Sequence, residues 1–226
     1  MSSPITHTPT TGRNRGNVFT GAPDVRYSGG FWIGPPAYDA DLFPKDPFED
    51  SQAIASRLGM DSAGFITSDG VSKNADRSTE KLLDWNLDLI DVITTDFGVQ
   101  LTVTFAEAAN GAVLRAVYGD DNVEIVAPDD TAGTPGYVHI KEKSDDLPRK
   151  SIMFDLKGKG AARGRGFAAE AQVSAVGEIA FNKQSLIQYA ATIDVFSDVD
   201  ATYVHTWLSQ GGTVVAGTVD PDPESP

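Results

Sequence analysis

Between residues 64 and 123 the chain alternates apolar and polar positions in a way that reads as strand, loop, strand and short helix in quick succession. Val99, Leu101, Val103 and Phe105 are apolar while Gln100, Thr102 and Thr104 are polar, the period of two that places one face of a strand in a core and the other in water. Upstream, Leu83, Trp85, Leu87 and Leu89 alternate in the same way with Asp84, Asn86 and Asp88. The segment Thr94-Thr95-Asp96-Phe97-Gly98 between the two runs has the length and glycine of a hairpin connection. The pattern predicts a hairpin turning at 94–98, with Trp85 on the apolar side of its first strand.

The same reading extends along the chain. A strand is predicted over 24–33, with Gly29-Gly30 as a bend and Pro35-Pro36 as its end. A long polar loop follows over 37–50, then one or two helical turns over 51–58, capped by Asp50 or Ser51 and ended by Gly59. Residues 64–71 read as a short strand and turn, and 72–80 as a second polar loop. Over 108–118, Val113, Leu114 and Val117 fall at helical spacing and Gly119 is the stop. Strands are predicted over 137–143 and over 149–156, where Ile152, Phe154 and Leu156 share a face, followed by a Gly158-Lys159-Gly160 turn. Phe167, Ala169, Ala171 and Val173 share one side of 161–174. Ile187, Tyr189, Ala191, Ile193 and Val195 mark 186–196 as the last strong strand.

Residues 1–22 are too rich in Thr, Ser, Gly, Asn and Pro to bury apolar surface and read as an N-terminal arm; 211–226 read as a loose C-terminal tail. One domain over 23–210 remains, with 37–63 as a long loop available to neighbouring subunits. The 22 glycines and 13 prolines interrupt the chain too often for long helices, which favours a sandwich or barrel of short antiparallel strands with one short flanking helix.

Charge narrows the partners. Against 18 basic residues stand 32 acidic ones, a net charge of −14, so holding a phosphate backbone through counterion release is disfavoured. Solubility is the plain reading of that balance; a surface that lets DNA pass without gripping it is the sharper one. With no cysteine, disulfides and thiolate chemistry are excluded. No basic-then-apolar leader and no run approaching ~18 apolar residues is present, so the expected location is the cytosol or a particle assembled there.

Motifs for chemistry are sparse. His7, His139 and His205 have no companion at metal-ligand spacing, and no G-x-S-x-G elbow surrounds a serine. The glycine-rich stretch 158–166 lacks the G-K-[ST] ending of a phosphate cradle and reads as a hairpin tip, its Lys157, Lys159, Arg163 and Arg165 free to meet acidic patches of another subunit. Asp120-Asp121, Asp129-Asp130, Asp145-Asp146 and Asp198 with Asp200 lack the glycine and bidentate Glu of a calcium loop and read as solvated turns. Nothing singles out a carboxylate pair for glycoside hydrolysis. No catalytic, cofactor-binding or metal-binding residue is assigned, no cofactor is expected, and the chain is not expected to be an enzyme.

Several segments taken together carry a likeness. Gly64-Phe65-Ile66-Thr67-Ser68-Asp69-Gly70-Val71, Asp76-Arg77, Trp85, Thr94-Thr95-Asp96-Phe97-Gly98-Val99, Thr104-Phe105-Ala106-Glu107 and Leu114-Arg115-Ala116-Val117-Tyr118-Gly119 resemble, in order, the core of the major tail tube proteins of long-tailed, non-contractile bacteriophages. Further on, 149–155 and Gly177-Glu178 resemble the family less distinctively. The resemblance implies a β-sandwich or partial barrel completed across subunits, hexameric rings stacked into a tube, and a lumen for genome ejection. It also implies a virion location after assembly in the host cytoplasm, and as partners further copies of the chain, a tape measure protein, a tail terminator and distal tail or baseplate proteins. Double-stranded DNA passes through such a tube only transiently, and no membrane partner is implied.

The wet positions Asp84, Asn86, Asp88, Gln100, Thr102 and Thr104 are the candidate lumen-lining residues, their carboxylates repelling DNA phosphates; an ordinary solvent face is the equal alternative. Tube proteins of contractile tails or type VI secretion share the fold. A carbohydrate-binding β-sandwich using Trp32, Trp85 or Trp207 as stacking platforms is the rival from another class, and an enzyme built on dispersed carboxylates the third.

Overall fold

A computed structural model describes residues 19, 21–24, 30–129, 131 and 133–209. The expected C-terminal tail, His7, residues 25–29 of the first expected strand, and all of the arm except Phe19, Gly21 and Ala22 lie outside the described residues. The fold is mainly β and its named strands pair antiparallel. They run β1 (Ala22–Pro23), β2 (Phe31–Gly34), β3 (Asp61–Ser62), β4 (Ile66–Leu83), β5 (Leu89–Phe105), β6 (Val123–Val126), β7 (Tyr137–Ile140), β8 (Lys150–Lys157), β9 (Arg163–Val176), β10 (Tyr189–Phe196) and β11 (His205–Ser209). Two helices, α1 (Ser51–Leu58) and α2 (Gly111–Tyr118), accompany them. The main sheet has the order β3-β2-β8-β9-β10-β5-β4, with β1 beside β8 and β11 beside β9; β6 and β7 form a separate pair.

That sheet is rolled. Strands β2 and β5 stand four places apart, roughly 19 Å in a flat sheet, yet the Phe31 and Phe105 rings meet edge to face at 5.4 Å. The gap between them is bridged by the chain itself, because β3 pairs with β2 and Ile66, a few residues later, pairs with Phe105 of β5. Ala63 N–H donates to the Phe31 carbonyl at 2.9 Å and Ala106 N–H to that of Phe65 at 2.9 Å. Glu107 holds the crossing point, its Oε1 accepting from Phe65 N–H at 3.0 Å and its Oε2 from Asn110 Nδ2 at 3.0 Å. A nearly closed barrel results, of one continuous sheet rather than two stacked ones.

Inside lie Leu101, Val103 and Phe105 of β5, Ile152 of β8, Ala168 and Ala171 of β9 and Ile193 of β10, joined by Val113, Leu114 and Val117 of α2. Helix α2 begins at 111 because Asn110 Oδ1 accepts from Ala112 and Val113 N–H, satisfying donors that the first turn leaves orphaned. Burial pushes the Tyr118 hydroxyl at its end up to about 12, aided by the Tyr189 and Glu142 charges.

Segment 37–63, expected as a long loop, is ordered on its own sheet. Asp50 caps α1 through Gln52 and Ala53 N–H, and Gly59 ends it in the left-handed region at φ 64°. Ile54, Ala55 and Leu58 then pack with Phe43 on Trp32, Met153, Phe167 and Ala169, the outer surface of the barrel over β2, β8 and β9. The expectation that Phe167, Ala169, Ala171 and Val173 share one side is corrected by a bulge: Ile152 pairs with Ala168 but Lys150 with Ala171. The extra residue sends Phe167 and Ala169 outward to α1 and Ala171 and Val173 inward.

Beneath this segment sits Arg165, 1% exposed. Its Nε donates to Asp155 Oδ1 at 2.7 Å, and its terminal nitrogens to the Asp46 and Glu49 carbonyls and Ser51 Oγ at 2.9–3.0 Å. Arg163 pairs with Asp24 at 3.3 Å. These two arginines, expected to be available to another subunit, bind their own chain instead. Next to them the Phe154 ring lies over Gly166, where an added Cβ would stand 2.1 Å from Phe154 Cζ. Gly166→Ala is expected to lower stability by about 1–3 kcal/mol through overpacking, read from urea unfolding; an unchanged midpoint would count against that packing.

Candidate functional site: a protruding hairpin and an open polar face

Strands β4 and β5 form the longest hairpin of the described residues. Partner strand β10 accompanies β5 only from Val99 to Phe105, so residues 89–98 pair with β4 alone. At ~3.4 Å per residue this two-stranded ribbon reaches roughly 30 Å beyond the barrel. The expected turn at 94–98 is therefore corrected: that stretch is continuous strand, with a bulge that skips Thr95 between the Ser78–Asp96 and Thr79–Thr94 pairs. The expected polar loop at 72–80 is strand as well. Hydrophobic periodicity could not find it, because both of its faces are wet and no apolar stripe marks one of them.

The turn lies at 84–88, where the alternation predicted a strand. Asp84 organises it: its N–H donates to the Asp88 carbonyl at 2.9 Å, and its Oδ1 accepts from Asn86 and Asp88 N–H, both at 2.8 Å. Leu87 adopts φ 67°, a conformation costly for a branched side chain. Trp85, expected in the core, is 99% exposed at this tip, and Leu87 is 77% exposed. Leu82, Leu83, Leu89 and Ile90 continue the exposed apolar surface down both strands. An apolar cluster this far from the core has no cover within the described residues.

Of the six candidate lining residues, Gln100, Thr102 and Thr104 come together. They sit on the outer face of β5, with Thr102 opposite Thr192, Gln100 opposite Asp194 and Thr104 opposite Ala190 on β10. Gln100 Nε2 donates to Asp194 Oδ1 at 2.8 Å. Across β4, Ser72 and Asn74 pair with Thr102 and Gln100 and extend the same face. Asp84, Asn86 and Asp88 are not on it; they form the hairpin turn. Thr192 and Asp194 were legible in principle as the wet positions of the 187–195 alternation, whereas Ser72 and Asn74 carried no periodic signal. Where α1 covers the outer face over β2 and β8, this half is bare and polar.

The remaining tryptophans do not form a platform. Trp32 is buried under α1, and Trp207 is half-buried with its ring stacked 5.6 Å from His205. His139 Nδ1 lies 3.7 Å from Glu124 on the exposed β6–β7 pair. Among the described residues no group of three or more His, Asp or Glu is placed to hold a metal, and no helix is long and apolar enough to cross a membrane.

His205 Nε2 lies 2.7 Å from Asp198 Oδ2. Burial works to raise the Asp198 carboxyl, but the His205 hydrogen bond and the Thr202 and Asp200 N–H groups outweigh it and hold it below the ordinary carboxylate range. A depressed folded-state value means stability present above the unfolded value of about 4 and lost as pH falls through the folded one. Wild type is accordingly expected to lose urea resistance below that value more steeply than Asp198→Asn. Identical acid profiles would remove Asp198 from the account.

No family model matches the chain, and no characterised protein matches it.

Proposed function

We propose that this protein is a structural tube protein of the kind that its sequence resembles: copies join through their β-structure into stacked rings around a channel for a phage genome. The observation that carries the reading is the ribbon 72–98 with its apolar tip. A two-stranded hairpin is marginal in water by itself, and an exposed apolar patch at its end calls for a partner surface.

Two further features support it. Strand β4 is the end of the sheet order, so its outer edge presents a long row of backbone donors and acceptors. Edges of that length invite strand addition, and closure with further copies removes them. The polar face around Gln100, Thr102, Thr104, Thr192 and Asp194 suits a channel wall, since it offers hydroxyls, amides and a carboxylate to passing phosphates, while Arg149, stacked on Phe196 at its border, is already paired with Glu170 at 2.6 Å.

Sedimentation and negative-stain microscopy of the purified chain over a concentration series test the proposal. Rings or tubes with a central hole are expected. A single-chain particle at every concentration, even with a preformed tail initiator added, would sink it.

A further inference from the structure

The register of β4 against β5 sorts the hairpin's charges by face. Paired residues on neighbouring strands project to the same side, and successive residues to opposite sides. Val71, Lys73, Ala75, Arg77, Thr79, Lys81 and Leu83 therefore share one face of β4, opposite Leu101, Val99, Phe97, Thr94, Val92 and Leu89 from Lys73 onward. Asp76 and Glu80 occupy the other face, together with Asp96 and Asp91 of β5. The bulge at Thr95 maintains the sorting, because it brings Thr94 and Val92 onto the side of Phe97. Lys73, Arg77 and Lys81 lie on one side of the ribbon and its four strand carboxylates on the other.

The cations are little used within the chain. Arg77 donates to Thr94 Oγ1 at 3.2 Å and lies over the Phe97 ring at 4.7 Å, while Lys73 and Lys81 form no ion pair among the described residues. We propose that the face bearing Lys73, Arg77 and Lys81 is the side of the ribbon that a second copy of this chain covers, through that copy's carboxylates, while the face bearing Asp76, Glu80, Asp91 and Asp96 remains uncovered. This rests on the self-assembling tube reading and adds to it which face is buried.

Charge selects the occupant. Each copy carries a net −14, so two copies brought together repel unless a cationic strip lies between them. Val92, Leu83 and Leu89 on the same face supply apolar contact beside the cations. A nucleic acid is the poorer fit, since the four carboxylates on the reverse side lie within about one Debye length, ~8–10 Å, of any phosphate resting on the cations.

Zero-length carbodiimide cross-linking of assemblies mixed from light and nitrogen-15-labelled full-length chains tests this directly on wild type. Peptides joining Lys73 or Lys81 of one label to Asp or Glu of the other are expected. Assembled material whose Lys73 and Lys81 cross-links are all within one copy overturns the inference and leaves the tube reading intact. In parallel, Lys73→Glu/Lys81→Glu is expected to raise the critical concentration for assembly at least about tenfold, whereas Asp76→Asn/Glu80→Gln changes it by no more than about twofold. Equal effects of the two doubles at unchanged thermal midpoints overturn it. So does wild-type retention of duplex DNA that the lysine double loses, and a wild type that never assembles removes the tube reading along with it.

Discussion

Trp85→Ser combined with Leu87→Gly is expected to abolish assembly while leaving the barrel's unfolding midpoint where it was. Both side chains stand at the far end of the ribbon, remote from every buried residue of the core. The glycine relieves the positive φ of Leu87, and Asp84 Oδ1 still accepts from Asn86 and Asp88 N–H, so the hairpin's geometry survives the change. What is removed is contact area. An aromatic side chain buries about 150–250 Å², and tryptophans at the centre of an interface typically contribute 2 kcal/mol or more, about 30-fold in association constant for each contact. In a stacked assembly every copy loses that contribution. Light scattering against concentration, with circular dichroism to confirm the fold, gives the answer; assembly at the wild-type concentration would exclude the tip from the interface.

The largest effect on the fold itself is expected at Arg165. Arg165→Met leaves Asp155 buried without its counterion and strips partners from the Asp46 and Glu49 carbonyls. Breaking one side of a buried pair in this way costs about 3–5 kcal/mol. The loss is expected to be local first, because these bonds tie segment 46–51 and the start of α1 to β8 and β9. Early proteolysis near residue 46 should therefore accompany a lowered urea midpoint. Arg165→Met with Asp155→Leu removes both charges and is expected to recover much of the loss, since a desolvated pair contributes little net stability over apolar residues of similar volume. A single variant as stable as wild type would mean that the pair does not hold the segment.

How far the molecule was legible beforehand depends on which side of each strand meets a core. Where one face is buried and the other wet, as in 99–105 and 189–196, the alternation located the strand and oriented its side chains. Helix α1 was placed through its caps, Asp50 and Gly59, and α2 through the spacing of Val113, Leu114 and Val117 with Gly119 as its stop, although its start falls at 111 rather than 108 because Asn110 caps it. The hairpin is the counterexample. Its strand 66–83 is wet on both faces past Val71, so no periodicity distinguished it from a loop. Its turn, Asp84-Trp85-Asn86-Leu87-Asp88, happens to alternate like a strand although Asp and Asn are there as turn formers. Three candidate lining residues were misplaced for that one reason.

Arg163 and Arg165 illustrate the other kind of gap. In the chain they read as a basic hairpin tip near glycines; their burial comes from Asp24, Asp155 and the 46–51 segment, which is more than 100 residues away and packs over them. The bulge in β9 is similar, because a single extra residue relative to β8 decides which side of the barrel Phe167 and Ala171 occupy.

By itself, then, the chain's pattern of apolar and polar residues determined a mainly antiparallel β-fold, its half-buried strands, both short helices and three residues of the open polar face, because each of these is set by neighbours within a few positions. Tertiary structure alone decided the rolling of one sheet into a barrel, the length and charge sorting of the protruding hairpin, and the exposure of Trp85. Those depend on which strand runs out of partners first, a property of pairing between distant segments that local periodicity does not contain.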